Sequence, residues 1–234
     1  LYFVNWQREV SVEERGDRKV VVKRNKLTKG FHEFIVVFTY SLISFLLGHP
    51  SRPVALTAIM ANEGYEMRRL LSEIGVGTPE LISISDSDLV EEYVEGGDVY
   101  SALASGSSTG LAIMAGSVTA RMHAAGYSFV DNKAQNYLVK DRNLVIRTDL
   151  GFTKKSSSLY SRSMDIGSFL ASVMDLPRYS SVERAFYEGY KSVSNRKFSY
   201  LSIIIRNVLS IGFSSSSIIT LRNMMLDSRS FLDA

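Results

Sequence analysis

The sequence has no cysteine and only three histidines, His32, His49 and His123. The first absence excludes disulfides, cysteine-based zinc sites and a thiol nucleophile together. It fits a reducing compartment, so a cytoplasmic protein is expected. The histidines lie far apart and form neither an HExxH nor an HxxxH pair, so they read as surface or satisfied core side chains rather than metal ligands. Excess charge is scarce too. The 27 Lys and Arg face 24 Asp and Glu, a net charge of +3, which gives no argument for nucleic-acid binding. Long apolar runs are missing. The most apolar one, Phe34–Leu47, is shorter than the ~20 residues a bilayer helix needs and carries Thr39, Tyr40, Ser41 and Ser44. It is expected to be a buried helix and no membrane span, with a membrane-surface segment as the alternative. No signal-peptide pattern or lipidation motif shows, and the opening on Leu1 rather than Met suggests trimming upstream. What is present, 45% hydrophobic and 22% charged residues in 234, describes a globular chain of one large domain or two small lobes.

The first thirty residues carry strand signals. Glu9–Glu13 alternates apolar with polar, Arg15-Gly16-Asp17-Arg18 is a turn, and Lys19–Arg24 is a β-branched run bounded by charge. Ala58–Ile74 is predicted as one helix, with Met67, Leu70, Leu71 and Ile74 on a face and Gly75 as its C-terminal cap. Leu81–Ser85 and Leu89–Val94 pair around Asp86-Ser87-Asp88, and Gly96-Gly97 marks a hinge. Helices follow at Gly110–Ala125, Met164–Met174 and Ser181–Val193. A small hairpin joins Tyr137–Val139 to Leu144–Ile146 across Lys140–Asn143. Serines at 156–158 and 214–217 read as loops or caps. Strands first and helices later is an α+β pattern.

One constellation carries chemistry. Asp131-Asn132-Lys133-Ala134-Gln135-Asn136 is followed, thirteen residues on, by Asp149-Leu150-Gly151. Phosphoryl transfer needs a carboxylate near the accepting hydroxyl, a cation on the moving phosphate and oxygen ligands for Mg²⁺. Asp131 suits the first role and Lys133 the second, while Asn136 and Asp149 suit the third. Each of these acidic and amide side chains is also an ordinary turn cap when taken alone.

The pattern D-x-K-x-x-N followed by D-L-G resembles the catalytic and metal loops of the protein-kinase-like superfamily. Further matches fall in the right order. Val20-Val21-Val22-Lys23 is similar to the strand that carries the ATP-phosphate lysine. Glu66–Pro79 resembles the helix supplying that lysine's ion-pair partner, which would be Glu66, with Glu63 and Glu73 as solvated helix charges. Glu92–Asp98 resembles the interlobe hinge, where backbone groups of Glu92 and Val94 would meet adenine. Asp98 would meet ribose there, or simply N-cap Val99–Leu103. Asp165-Ile166-Gly167 resembles the buried aspartate that supports the catalytic loop. The V-V-V-K-R run, the helix exit at Val76–Pro79 and the short gap between Asp149 and Asp165 are most similar to RIO kinases and the archaeal-type kinase of the KEOPS complex.

The resemblance implies a two-lobed fold, residues 1–94 forming a β-rich N-lobe and 95–234 a helical C-lobe. It implies ATP and Mg²⁺, or Mn²⁺, in the cleft between them. The expected activity is that of an atypical serine/threonine protein kinase that also phosphorylates itself, with Ser156–Ser158 as acceptors. A small-molecule or lipid kinase and an ATP-binding or ATPase scaffold subunit of a larger complex are the alternatives. Departures are visible. Phe129 and Val130 stand where His and Arg usually precede the catalytic Asp. Gly16 is the sole glycine before Lys23, and Glu91 falls near a normally apolar gatekeeper position.

Overall fold

A computed structural model describes residues 8–141, 144–213, 217–226, 228 and 231–232. The chain is α+β, with a small antiparallel sheet near the N-terminus and a mostly helical remainder. Strands β1 (Arg8–Arg15) and β2 (Arg18–Asn25) form the expected hairpin. Gly16 sits at its tip with φ +62°, a conformation glycine adopts without cost. After the helices α1 (Lys29–Leu46), α2 (Leu56–Asn62) and α3 (Tyr65–Glu73) come β3 (Leu81–Ile84) and β4 (Asp88–Glu92). The sheet order is β1-β2-β4-β3.

Strand alternation gives this sheet two different faces. Val20, Val22 and Val90 point to one side and are buried together. Cross-strand partners share a face, so the pairs Val10 with Lys23 and Val12 with Val21 place these four on the other side. There Val10 and Val12 remain about half exposed.

Two expectations are corrected here. Ala58–Ile74 is two helices, because Gly64 takes an extended conformation between Asn62 and Tyr65 and restarts the helix in a new phase. The apolar segment is helical but begins earlier, at Lys29, and is not buried. Tyr40 and Ser44 dock it, the Tyr40 hydroxyl lying 3.0 Å from Ser161 Oγ and Ser44 Oγ donating to the His49 carbonyl. Its outer stripe, Phe31, Phe34, Phe38, Leu42 and Phe45, is 41–76% exposed. This is the one helix among the described residues long and apolar enough to cross a membrane.

The remainder comprises α4 (Val99–Ala104), α5 (Gly110–Ala124), a 3₁₀ turn at Ala134–Asn136, the hairpin β5 (Tyr137–Lys140) and β6 (Leu144–Arg147), then α6 (Leu159–Ser172), α7 (Tyr179–Val193), α8 (Tyr200–Phe213) and α9 (Ser217–Met224). Gly75 ends its helix in the left-handed conformation, as predicted, and Gly126 does the same after α5. Ser158 caps α6 by accepting from the Ser161 N–H. Residues 142–143 of the predicted turn and serines 214–216 lie outside the described residues. Glycine lets the helices approach closely: a Cβ at Gly116 would strike the Phe186 carbonyl on α7, and one at Gly189 the Ile113 carbonyl on α5. The main core gathers Phe169, Phe186, Tyr190 and Phe198, with the first two rings stacked 4.1 Å apart.

Candidate functional site

The Asp131 loop is built on a buried carboxylate. Asp165, fully buried in α6, accepts from the Phe129 N–H at 2.8 Å and the Val130 N–H at 2.6 Å. Its Oδ2 also lies 3.0 Å from His123 Nε2, and the other ring nitrogen of His123 lies 2.9 Å from the Tyr190 hydroxyl. His123 is therefore a satisfied core histidine. The two bonds to Asp165 hold Val130 at φ +67°, a conformation that costs a β-branched residue about 1–3 kcal/mol. Asn132 fastens the next step, donating to Thr119 Oγ1 and the Asp165 carbonyl and accepting from the Tyr137 hydroxyl at 2.6 Å. Asp131 is thus presented from a rigid loop.

Lys133 Nζ donates to Asp131 Oδ2 at 2.8 Å. Asn136 Nδ2 donates to the same oxygen at 3.1 Å and to the Asp131 carbonyl at 2.9 Å. The Thr148 N–H donates to the Asn136 carbonyl at 3.0 Å, which brings Asp149 alongside. Asp149 itself has φ +60°, so its placement is also strained. Burial acts to raise its pKa, but the charges of Lys23, Lys133, Arg8 and Arg147 outweigh this and hold it at about 2. No hydrogen bond or ion pair to Asp149 occurs among the described residues, so a carboxylate with a lowered pKa stands near cations without a close partner. The same two aspartates keep the Lys133 pKa raised against the opposing effect of burial.

Lys23 reaches this centre from β2, its Nζ donating to Thr148 Oγ1 at 2.9 Å. Its ion-pair partner is Glu91 at 2.5 Å. The expected pairing with Glu66 is overturned. Glu66 is 81% exposed and pairs with Arg69 across the first turn of α3. Arg68 and Leu71 are the buried face of that helix; a step of two residues turns about 200° around its axis, which sends Glu66 to solvent.

Glu91 is 2% exposed and also accepts from Arg68 Nη2 at 3.0 Å and Thr148 Oγ1 at 3.0 Å. Burial acts against its charge, yet Lys23 and Arg68 prevail and lower its pKa. Glu63 is a further buried carboxylate. It accepts from the Gly151 N–H at 3.2 Å and pairs with Arg8 at 3.3 Å. Burial raises its pKa despite Arg8, with the Asp149 charge adding to the rise.

Glu92, Val94 and Asp98 are placed apart from Lys23. The Glu92 side chain lies on the opposite face of the sheet, paired with Lys140 on β5 at 2.5 Å. With Val20, Val94 and Lys140 it lines a wide cleft that neither Lys23 nor Asp149 reaches. The Glu92 N–H is used by the Glu80 carbonyl. The Val94 N–H meets no protein acceptor among the described residues. Asp98 N-caps α4 through the Ser101 N–H at 2.9 Å, so of its two predicted roles the structure displays the cap.

The sequence reading did not find Glu63, Glu91 or Arg147 as site residues. Arg147 is fully buried and donates to the Asp131 carbonyl at 2.7 Å, with its guanidinium 4.5 Å from the Phe129 ring centroid and 5.0 Å from that of Tyr137. A charged residue ending the otherwise apolar Leu144–Ile146 run was its one sequence signal.

Asn136 and Asp149 offer an amide oxygen and a carboxylate. Asn136 spends its amide hydrogens on Asp131, and no donor meets its Oδ1 among the described residues. Mg²⁺ commonly takes one or two protein carboxylates, keeps waters and completes its shell with substrate phosphates. This donor set fits that use: it is too small to cage a bare ion, and among the described residues no cluster of three or more His, Cys, Asp or Glu offers another. No protein-family model and no characterised protein matches this sequence.

Proposed function

We propose that the chain is an ATP-dependent phosphotransferase that moves the γ-phosphoryl group to a hydroxyl, in a two-lobed kinase-like fold divided near residue 94. The observation that carries this reading is Asp149: an ionised carboxylate without a protein partner, ringed by Lys23, Lys133, Arg8 and Arg147, beside Asn136. A divalent cation carrying a nucleotide phosphate chain would give the Asp149 carboxylate the partner the protein does not, with Lys23 and Lys133 beside the phosphates. The sheet order, the buried Asp165 under the loop and the ordered motifs support the relation to RIO-type and KEOPS-type kinases.

In this reading Lys23 holds phosphate oxygens, and Glu91 with Arg68 fixes its position, the role the motifs assigned to Glu66. Val10, Val12 and Val21 give the purine an apolar sheet face beside Lys23. Bound Mg²⁺ or Mn²⁺, held by Asn136 and Asp149, would neutralise phosphate charge. Asp131 takes the hydroxyl proton as the oxygen attacks, and Lys133 balances charge on the moving phosphoryl group. The Arg147 hydrogen bond to the Asp131 carbonyl keeps the loop in register.

Two measurements test the reading. Millimolar Mg-ATP should raise Tm, because a ligand that binds only the folded state stabilises it. Asp149→Asn should keep the fold and lower turnover of labelled ATP by ~100-fold or more. No shift with the wild type, or full turnover by the variant, sinks the proposal.

A further inference from the structure

Beside Asp131 a cleft of about 110 Å³, open to solvent, lies between α1 and the helices α6 and α8. Asp131, Lys133 and His32 are its ionisable groups, and Thr39 and Ser168 add two hydroxyls to a wall that is otherwise mainly apolar. Ile35, Val36 and Ile43 line it from α1, Met164 from α6 and Leu209 from α8. The Tyr40 hydroxyl is already engaged by Ser51 at 2.8 Å and Ser161 at 3.0 Å, so it contributes mainly its ring.

From this arrangement we infer that the acceptor is an alcohol with one hydroxyl on an apolar body, seated in the α1–α6–α8 cleft with its oxygen at Asp131. The inference rests on the phosphotransfer reading above and names its substrate class. A peptide serine carries more backbone donors and acceptors than the Thr39 and Ser168 hydroxyls of this wall can meet, at a cost of about 1–3 kcal/mol for each group left unmet. A polyol meets the same obstacle at each further hydroxyl. An apolar body gains instead, at roughly 25 cal/mol for each Å² it buries. The serines once expected as self-acceptors are also engaged: Ser158 caps α6, and Ser156 Oγ lies 3.0 Å from Ser161 Oγ.

The step balances simply. The alcohol oxygen forms a bond to the γ-phosphorus of ATP, and the bond from that phosphorus to the β–γ bridging oxygen breaks. The proton leaves the alcohol for Asp131 and then for water, and ADP departs with the bridging oxygen.

The test starts without nucleotide. Equilibrium dialysis of the full chain against tritiated farnesol, a C15 alcohol, should show saturable binding. Val36→Trp and Leu209→Trp fill the cleft from opposite walls and should each weaken binding at least tenfold while Mg-ATP still raises Tm. Folding of each variant is checked by its cooperative melt, and two walls are used so that one misfolded variant does not decide the outcome. Labelled ATP should then yield an organic-soluble phosphate ester from farnesol, and far less product from glycerol or a serine peptide. Absent saturable binding, or binding that both folded variants retain, overturns the inference. So does transfer to the peptide or glycerol in preference to farnesol, although that result leaves phosphotransfer itself standing. If Mg-ATP neither binds nor turns over, phosphotransfer fails and the acceptor assignment falls with it.

Discussion

Removing the Glu91 carboxylate should damage the fold more than removing the lysine it pairs with. Glu91 is nearly inaccessible and neutralises two cations at once, Lys23 at 2.5 Å and Arg68 at 3.0 Å. In Glu91→Gln both cations lose their nearest counter-charge in a buried setting, Arg68 retaining only Glu63 Oε2 at 4.0 Å. Arg68 keeps its bonds to the Glu63 and Pro79 carbonyls, so the loss belongs near the lower end for breaking a buried pair, about 3 kcal/mol. For a chain of this length that lowers Tm by about 6–12 °C. In Lys23→Met the carboxylate keeps Arg68 and the Thr148 hydroxyl, and the methionine joins the apolar face of Val10, Val12 and Val21. That loss should be about 1 kcal/mol. Thermal melts of both variants at pH 7, each with a cooperative transition, supply the comparison. Acid titration adds a sign. The Glu91 pKa is held below its ordinary 4.5, so its stabilisation is fully present above that pH and is lost as pH falls through the folded value. The gap between wild type and Glu91→Gln should therefore stay constant from pH 8 to about 5 and close below 4.5. Equal losses in the two variants, or a gap that widens on acidification, would refute the claim that one carboxylate carries both cations.

The sheet and the Asp131–Asp149 constellation were legible because both depend on local order. The β1–β2 hairpin follows from a charged turn with Gly16 between β-branched strands. The loop follows from residue types at fixed spacing, and the structure brings Asp131, Lys133, Asn136 and Lys23 to one place. The lysine's partner was not legible, for a definite reason. Helical periodicity was carried through Ala58–Ile74 as one phase, and Gly64 interrupts it. Beyond the break, phase is set by Arg68 and Leu71 packing inward, which no local pattern announces. Glu91 was visible as an acidic residue in an apolar strand. Its function depends on the register that sets it opposite Val21, and register is a long-range property. The segment from Phe34 to Leu47 is apolar on several faces, so hydrophobicity alone could not say that one stripe would dock and another stay exposed. Arg147 was missed because its reward is aromatic and tertiary, given by Phe129 and Tyr137 from other parts of the chain.

Two further substitutions separate site from scaffold. Glu66→Ala removes an exposed pair with Arg69, so stability should change by less than ~0.5 kcal/mol and the Mg-ATP shift should persist; a lost shift would restore Glu66 to the nucleotide site. Gly189→Ala sets two effects of opposite sign against each other. Alanine is the better helix former by about 1 kcal/mol, so propensity alone predicts stabilisation of α7. The added Cβ, however, would strike the backbone carbonyl of Ile113 on α5. Backbone cannot swing aside as the end of a long side chain can, so the two helices must separate. Overpacking of this kind costs typically 1–3 kcal/mol, occasionally more, and separation would also loosen the contacts that seat Phe186 beside Phe169. A net loss of about 1 kcal/mol or more, read as a lower urea midpoint, is expected. Gly110→Ala is the matched control: it lies at the start of α5 and a Cβ there meets nothing closer than Ser108 Oγ at 3.3 Å, so it should be neutral or slightly stabilising. If Gly189→Ala proved as stable as that control, close approach of α5 and α7 would not be what requires glycine there.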